Sequence, residues 1–151
     1  QASNSTFWND TNGAAAGVIF QAVSAPDAAV TPKTLPFSDG FKKRFGNFPS
    51  YAGYTAYDEV YFIADAIHRA KSTNADKLVA ALEKTDWEGT IGRVQFYGKD
   101  DQFTHSIKYG KGLITGLMSQ WQDGKQVTVW PKEIAKGTLK FPSFVKLGAG
   151  L

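Results

Sequence analysis

The chain has 151 residues, with 42% hydrophobic and 21% charged residues, which is ordinary for one globular domain that has a core of its own. The net charge is only +3, and the basic residues are scattered apart from the cluster at residues 42–44. No extended basic surface for nucleic acid is therefore expected. The absence of cysteine excludes disulfides and thiolate metal sites, and no run approaches the roughly 18 apolar residues of a membrane helix.

The first elements along the chain are predicted to be a strand and a short helix. Residues 18–23, Val-Ile-Phe-Gln-Ala-Val, are typical of a short buried strand. Residues 24–36 contain several prolines and indicate a loop. Residues 37–45 are predicted to form an amphipathic helix that ends at Gly46, because glycine readily adopts the left-handed conformation at helix ends.

The longest helical pattern runs from Pro49 to Ala70. Proline disfavours helical geometry in the residue before it, so the helix is predicted to begin just after Pro49, with Ser50 as its N-cap. One apolar stripe recurs at helical spacing and is predicted to face the core: Tyr54, Tyr57, Val60, Tyr61, Ala64 and Ile67. The charged residues are expected on the opposite, solvated side: Asp58, Asp65 and Arg69.

A further helix is predicted after a polar break, with Asn74 as its N-cap. Three apolar side chains at helical spacing are expected to point inward: Leu78, Val79 and Leu82. The helix is expected to end near Thr85.

The remainder of the chain is predicted to be mostly strands and turns. Residues 87–92 indicate a turn, and the alternation in residues 93–97 indicates a strand. Asp123-Gly124 stands between the segments 118–122 and 127–130. Because this dipeptide favours the tight turn that joins antiparallel strands, a hairpin is predicted there.

The first turn of the long helix is a candidate ligand site. It carries Tyr51, Ala52 and Gly53, one aromatic ring beside two very small side chains. The first amides of a helix have no partner within the helix, so they can receive an anionic or polar ligand group. The alternative interpretation is that Tyr51 and Tyr54 are core residues and that the glycine serves close packing.

No catalytic or metal-binding set can be assembled from the residues. His68 and His105 do not stand in a metal-ligand spacing. Asp58 and Glu59 are adjacent on a helix and point in different directions, so they cannot act as an acid–base pair. Neither a nucleophile elbow nor a phosphate-binding glycine loop is present, so we predict a protein that is not an enzyme and needs no cofactor.

Several segments in one order resemble a known family. They are Asn-Gly-Ala-Ala-Ala-Gly-Val at 12–18, the segment at 41–51, Tyr-Thr-Ala-Tyr-Asp-Glu-Val at 54–60, and the segments at 75–83, 88–96 and 120–125. Together they resemble the C-terminal part of a type I periplasmic substrate-binding protein. The nearest group is the leucine/isoleucine/valine-binding family of ABC transporters.

The resemblance implies an α/β fold that is a portion of a two-lobe, Venus-flytrap architecture. It implies a parallel sheet core flanked by helices, with a β-hairpin near the C-terminus. Residues 1–46 would belong to the second lobe, residues 47–103 to the first, and residues 104–151 to the second lobe and the hinge. The chain would be a fragment of a longer protein from which a leader has been removed.

The same resemblance places ligand contacts in two short segments. One is Gln1, Ala2 and Ser3, and the other is Tyr51, Ala52 and Gly53. Family members bind the α-ammonium group of their ligand through a carboxylate, and no acidic residue stands at positions 1–3. The ligand is therefore not restricted to a simple amino acid, since related proteins take aromatic acids or amides.

The function that the resemblance implies is solute binding for uptake. The ligand would be a branched-chain amino acid or a similar small carboxylate, amide or aromatic acid, delivered in the periplasm to the membrane permease of an ABC transporter. The alternative is the ligand-sensing domain of a receptor or regulator with the same fold. A complementing N-terminal fragment or a swapped dimer is the expected protein partner, and no nucleic acid is expected.

Overall fold

The structure is a computed structural model that describes residues 2–141; Gln1 and residues 142–151 lie outside the described part. The elements in chain order are α1 (Phe7–Asp10), β1 (Ile19–Ala22), α2 (Thr34–Phe45), α3 (Tyr51–Ala70), α4 (Ala75–Leu82), β2 (Asp86–Glu88), β3 (Arg93–Gln95), β4 (Leu117–Gln122) and β5 (Lys125–Trp130). Among the described residues, no helix is both long enough and apolar enough to cross a membrane.

The strands form two small sheets, one with the order β1-β4-β5 and the other with β2 paired to β3. The mixed α/β class and the hairpin at Asp123-Gly124 are confirmed, because β4 and β5 pair directly across that turn. Every strand pairing between residues 2 and 141 is antiparallel, apart from one isolated parallel bridge between Tyr109 and Ile114. The expected parallel core is absent from this range. Short turns join β2 to β3 and β4 to β5, and such connections allow only antiparallel pairing. β1 and β4 are separated in the chain by α2, α3 and α4, and they also pair antiparallel.

The predicted helix ends are largely confirmed. Gly46 has φ +84° and its amide donates to the carbonyl of Lys42 at 2.8 Å, which ends α2. Asn74 precedes α4, and its side-chain oxygen accepts the amide hydrogen of Lys77 at 3.3 Å. Ser50 has the extended backbone of an N-cap, but its hydroxyl makes no capping hydrogen bond, so that part of the prediction is wrong.

The buried face of α3 is different from the predicted one. The residues that face the core are Tyr54, Asp58, Phe62 and Ala66. Of the predicted stripe, only Tyr54 is buried; Tyr57, Val60 and Tyr61 are 39%, 67% and 46% exposed. The prediction was wrong because it assigned the core side of the helix by hydrophobicity alone, whereas a carboxylate with enough hydrogen-bond donors can also be buried.

Asp58 is that carboxylate, and it is only 1% exposed. The amide of Thr90 donates to both of its oxygens, at 2.8 and 2.7 Å, and the amide of Ile91 donates to Oδ2 at 3.1 Å. The hydroxyl of Thr90 donates to Oδ2 at 3.1 Å. A Cβ at Gly89 would collide with the carboxylate, so the glycine permits this approach. Asp58 therefore ties α3 to the turn between β2 and β3.

The main core lies between α3, the β2–β3 sheet and the segment before β4. Its buried members are Tyr54, Phe62, Ile91, Val94 and Ile114. The hydroxyl of Tyr54 lies 2.6 Å from the hydroxyl of Ser38, so α2 and α3 are also joined by a buried hydrogen bond. The prediction that the long helix packs on a sheet is confirmed, with the ring of Phe62 edge-on to that of Phe96 at 5.7 Å.

Two local predictions in this region need correction. Residues 86–88 form strand β2, although residues 87–92 were predicted to be a turn; only the end of that range turns. Val79 was expected to point inward, but it is 44% exposed, and Ala81 takes the buried position on α4. Tertiary contacts with the neighbouring helix decide such positions when a helix is only two turns long.

The buried carboxyl of Asp58 predicts an unusual pH dependence. Burial raises its pKa above the ordinary 3.8, although the hydrogen bonds from Thr90 and Ile91 oppose the shift. The folded protein then binds this proton more tightly than the unfolded chain does. This contribution to stability is present in full below pH 3.8 and is lost as the pH rises through the raised pKa.

We therefore expect the parent protein to lose stability relative to Asp58→Asn as the pH rises above about 4. Denaturant unfolding of both proteins at a series of pH values measures the difference, and the variant serves as the non-titrating reference. A difference that stays constant, or that grows in favour of the parent with rising pH, would contradict the expectation.

Candidate functional site

A cavity of about 350 Å³ joins the N-terminal segment, strand β1 and the start of α3. Its lining consists of Ala2, Ser3, Phe20, Gln21, Ala22, Val23 and Tyr51. Ala2, Ser3 and Tyr51 were named from the sequence as ligand contacts, although they come from segments about 50 residues apart. The structure brings these three together in one cavity.

Tyr51 is the first residue of α3, and its side chain is 53% exposed. Of the alternative interpretation, the part on Tyr54 is confirmed, since that residue is 1% exposed. The part on Tyr51 is wrong for the described part of the chain, since its side chain is not in the core. An exposed ring at the edge of a cavity is available for a ligand to stack on or to hydrogen-bond with through its hydroxyl.

Ala52 and Gly53 do not join this cavity. Ala52 is exposed, and Gly53 lines a separate cavity of about 470 Å³ between α2 and α3. The amide of Gly53 donates to the carbonyl of Ser50 at 2.9 Å, so it is not a free donor. A Cβ at Gly53 would lie 2.9 Å from Cβ of Pro49, which agrees with a role in close packing. Gln1, the remaining predicted contact, lies outside the described residues.

The part of the lining that sequence reasoning missed is residues 20–23, which are the last residues of β1 and the one that follows it. The strand alternates, with Ala22 buried and Gln21 exposed. The Gln21 amide lies close against Gly116, where a Cβ would collide with it. A glutamine within an otherwise apolar strand was the signal available in the sequence, because a polar side chain in such a strand often faces a site or solvent.

The lining offers hydroxyl, amide and apolar groups and no charged side chain among the described residues. Ser3 and Tyr51 supply hydroxyls, and Gln21 supplies an amide that can both donate and accept. Such a surface suits an uncharged part of a small molecule. Within residues 2–141, no group of three or more histidine or acidic side chains is arranged to hold a metal ion.

The N-terminal segment that forms one wall is held from the β4–β5 hairpin. The indole nitrogen of Trp121 donates to the carbonyl of Ala2 at 2.7 Å. The side-chain amide of Gln126 donates to the carbonyl of Ser3 at 3.0 Å. The position of this wall therefore depends on residues more than 100 positions later in the chain.

Comparison with known proteins finds a matching family in sequence and similar folds among solved structures. A family described as periplasmic binding protein matches residues 3–111. A curated relative, Leu/Ile/Val-binding protein homolog 7 from Brucella abortus (strain 2308), is 30% identical over 120 residues, which cover 78% of this chain and 29% of the relative. The chain thus spans less than a third of the length of the curated relatives it matches.

Two solved structures illustrate the likeness in fold. A leucine-binding protein from Thermotoga maritima has a TM-score of 0.66 and 22% identity, covering 82% of this chain and 33% of that protein. A solute-binding protein of an ABC transporter from Rhodopseudomonas palustris BisB5, in complex with 3,4-dihydroxybenzoic acid, has a TM-score of 0.60 and 21% identity. It covers 82% of this chain and 32% of that protein. This chain therefore has the fold of a portion of a two-lobe periplasmic binding protein.

Proposed function

Because the chain belongs to the periplasmic binding protein family, we propose that the whole protein is the solute-binding component of an ABC transporter. It acts without catalysis, binds a small molecule in the periplasm and delivers it to a membrane permease. In this proposal, residues 1–46 belong to the second lobe and residues 47–103 to the first. Residues 104–151 return to the second lobe and the hinge. Closure of the lobes around the ligand creates the surface that the permease recognises.

The single observation that carries the proposal is the cavity that unites Ala2 and Ser3 with Tyr51. These segments come from the two sides of the proposed hinge, so a ligand between them contacts both lobes. Ligand sites of this kind occur preferentially between domains.

The ligand class follows from the relatives and from the lining. Relatives are named for leucine, isoleucine and valine, and one structural neighbour holds a dihydroxybenzoic acid. The uncharged lining receives the aliphatic or aromatic body of such a ligand, while its charged end is left to the rest of the whole protein. We therefore propose a branched-chain amino acid or a similar small carboxylate, amide or aromatic acid.

Replacing Tyr51 with alanine in the full-length protein is expected to weaken ligand binding by about 1–3 kcal/mol, the usual range for losing an important aromatic contact. Stability should change little, since more than half of the side chain is exposed. Calorimetric titration with L-leucine, L-isoleucine, L-valine and 3,4-dihydroxybenzoate measures the affinity, and a denaturant melt measures the stability.

Tyr109→Ala is the matched control, because Tyr109 is 64% exposed and does not line the cavity. It should bind like the parent. If Tyr51→Ala also binds like the parent but melts much earlier, the ring is structural and the site is assigned wrongly.

A further inference from the structure

The wall formed by Ala2 and Ser3 is attached through two side-chain donors that are neighbours in the hairpin. Trp121 on β4 and Gln126 on β5 stand directly opposite each other in the strand register. Directly paired residues of an antiparallel ladder project from the same face of the sheet. The indole N–H and the side-chain amide therefore reach two consecutive carbonyls, those of Ala2 and Ser3, from one platform.

The Trp121 donor is rigidly placed. The residue is 2% exposed, and the rings of Phe7 and Trp8 lie against its ring with centroids at 6.4 and 6.1 Å. Its backbone amide donates to the carbonyl of Val18 at 3.0 Å, and its carbonyl accepts from Gly17 at 2.9 Å. Trp121 thus pairs with the two residues just before β1. Strand β1 itself forms another part of the cavity lining.

Gln126 is placed differently, since it is only half-buried and its side chain contributes little to the core. It also lines a second cavity of about 460 Å³, which Trp121 shares. Gln126 does not itself line the first cavity, so its link to that cavity is the hydrogen bond to the carbonyl of Ser3.

We infer that Trp121 and Gln126 are positioning residues for the ligand site, because they fix the wall formed by Ala2 and Ser3 in register with Tyr51. This inference rests on the proposed function. A purely structural role would appear as a loss of stability without a change in the site, so Gln126 is the informative position.

A buried glutamine of the same hairpin offers a matched control. The side-chain amide of Gln122 donates to Gln120 Oε1 at 2.7 Å and to the carbonyl of Thr138 at 2.8 Å. These bonds reach a neighbouring side chain on β4 and the segment after β5, and neither reaches the wall of the cavity. Gln122→Leu removes a donor of the same chemistry from the same hairpin.

The test compares Gln126→Leu, Gln126→Lys and Gln122→Leu in the full-length protein. Affinities for L-leucine and 3,4-dihydroxybenzoate are measured by calorimetry, and amide hydrogen exchange of residues 2–6 is measured without ligand. Gln126→Leu should raise Kd about three- to tenfold and speed exchange in residues 2–6, as expected for losing one hydrogen bond. Gln126→Lys keeps a donor and should restore both values.

Gln122→Leu should lower the melting temperature while leaving Kd within about twofold of the parent and exchange at residues 2–6 unchanged. The inference is overturned if Gln126→Leu binds and exchanges like the parent, or if Gln122→Leu reproduces its effects. If the parent binds neither compound, the proposed ligand class fails, and the exchange measurement alone decides whether Gln126 positions the segment.

Discussion

Asp58→Ala is expected to lower the free energy of unfolding by about 3–5 kcal/mol, because it removes a buried acceptor and leaves buried donors unpaired. The amides of Thr90 and Ile91 and the hydroxyl of Thr90 all donate to this carboxylate. None of them can turn to water without opening the contact between α3 and the β2–β3 turn. Denaturant unfolding of the full-length protein measures the loss.

Glu59→Ala is the control for this substitution, since Glu59 is the neighbouring carboxylate on the exposed side of the helix. Its effect should stay within about 0.5 kcal/mol, as for most surface positions. If both variants unfold alike, Asp58 does not join α3 to the turn, and the assignment of the buried face of α3 is wrong.

Val60→Asp is expected to lower the free energy of unfolding of the full-length protein by on the order of 3 kcal/mol. We propose that the remainder of the protein covers this side chain, so the substitution would bury an unpaired charge there. Val60 is 67% exposed within residues 2–141. It stands in an apolar stripe with Tyr57 and Tyr61, whose rings lie 4.8 Å apart. An uncovered stripe of this kind marks a surface that packs against something else.

The length of the relatives supports this reading of the stripe, since the match covers only 29% of the Brucella protein. Ala80→Asp is the control: Ala80 lies on the polar face of α4, at helical spacing from Asp76 and Lys77, and is exposed. That variant should remain within about 0.5 kcal/mol of the parent. Equal and small effects of both substitutions would mean that the stripe stays uncovered in the whole protein.

The elements that sequence reasoning recovered are those with strong local signals. Gly46 ends α2 through its own left-handed backbone, and Asn74 caps α4 through a side chain three residues from its partner. Asp123-Gly124 turns the hairpin with φ values of +50° and +81°. In each case the interaction that defines the element lies within a few residues, so the sequence pattern contains all of it.

The candidate site was recovered only in part. Ala2, Ser3 and Tyr51 were expected as ligand contacts through resemblance to a family, and the structure places them around one cavity. Gln21 joined them without being predicted, because its position depends on the pairing of β1 with β4. Ala52 and Gly53 did not join them, because the helix turns their side away from the cavity.

The sequence by itself determined the α/β class, the family, and the helices and turns that short-range hydrogen bonds define. Only the tertiary structure decided which side of α3 is buried and what holds the wall of the cavity. The carboxylate of Asp58 is buried because Thr90 and Ile91, more than 30 residues later, supply its donors. The carbonyls of Ala2 and Ser3 are held by Trp121 and Gln126, more than 100 residues later. Burial of polar groups depends on partners that only folding brings together, so no local pattern could have shown either contact.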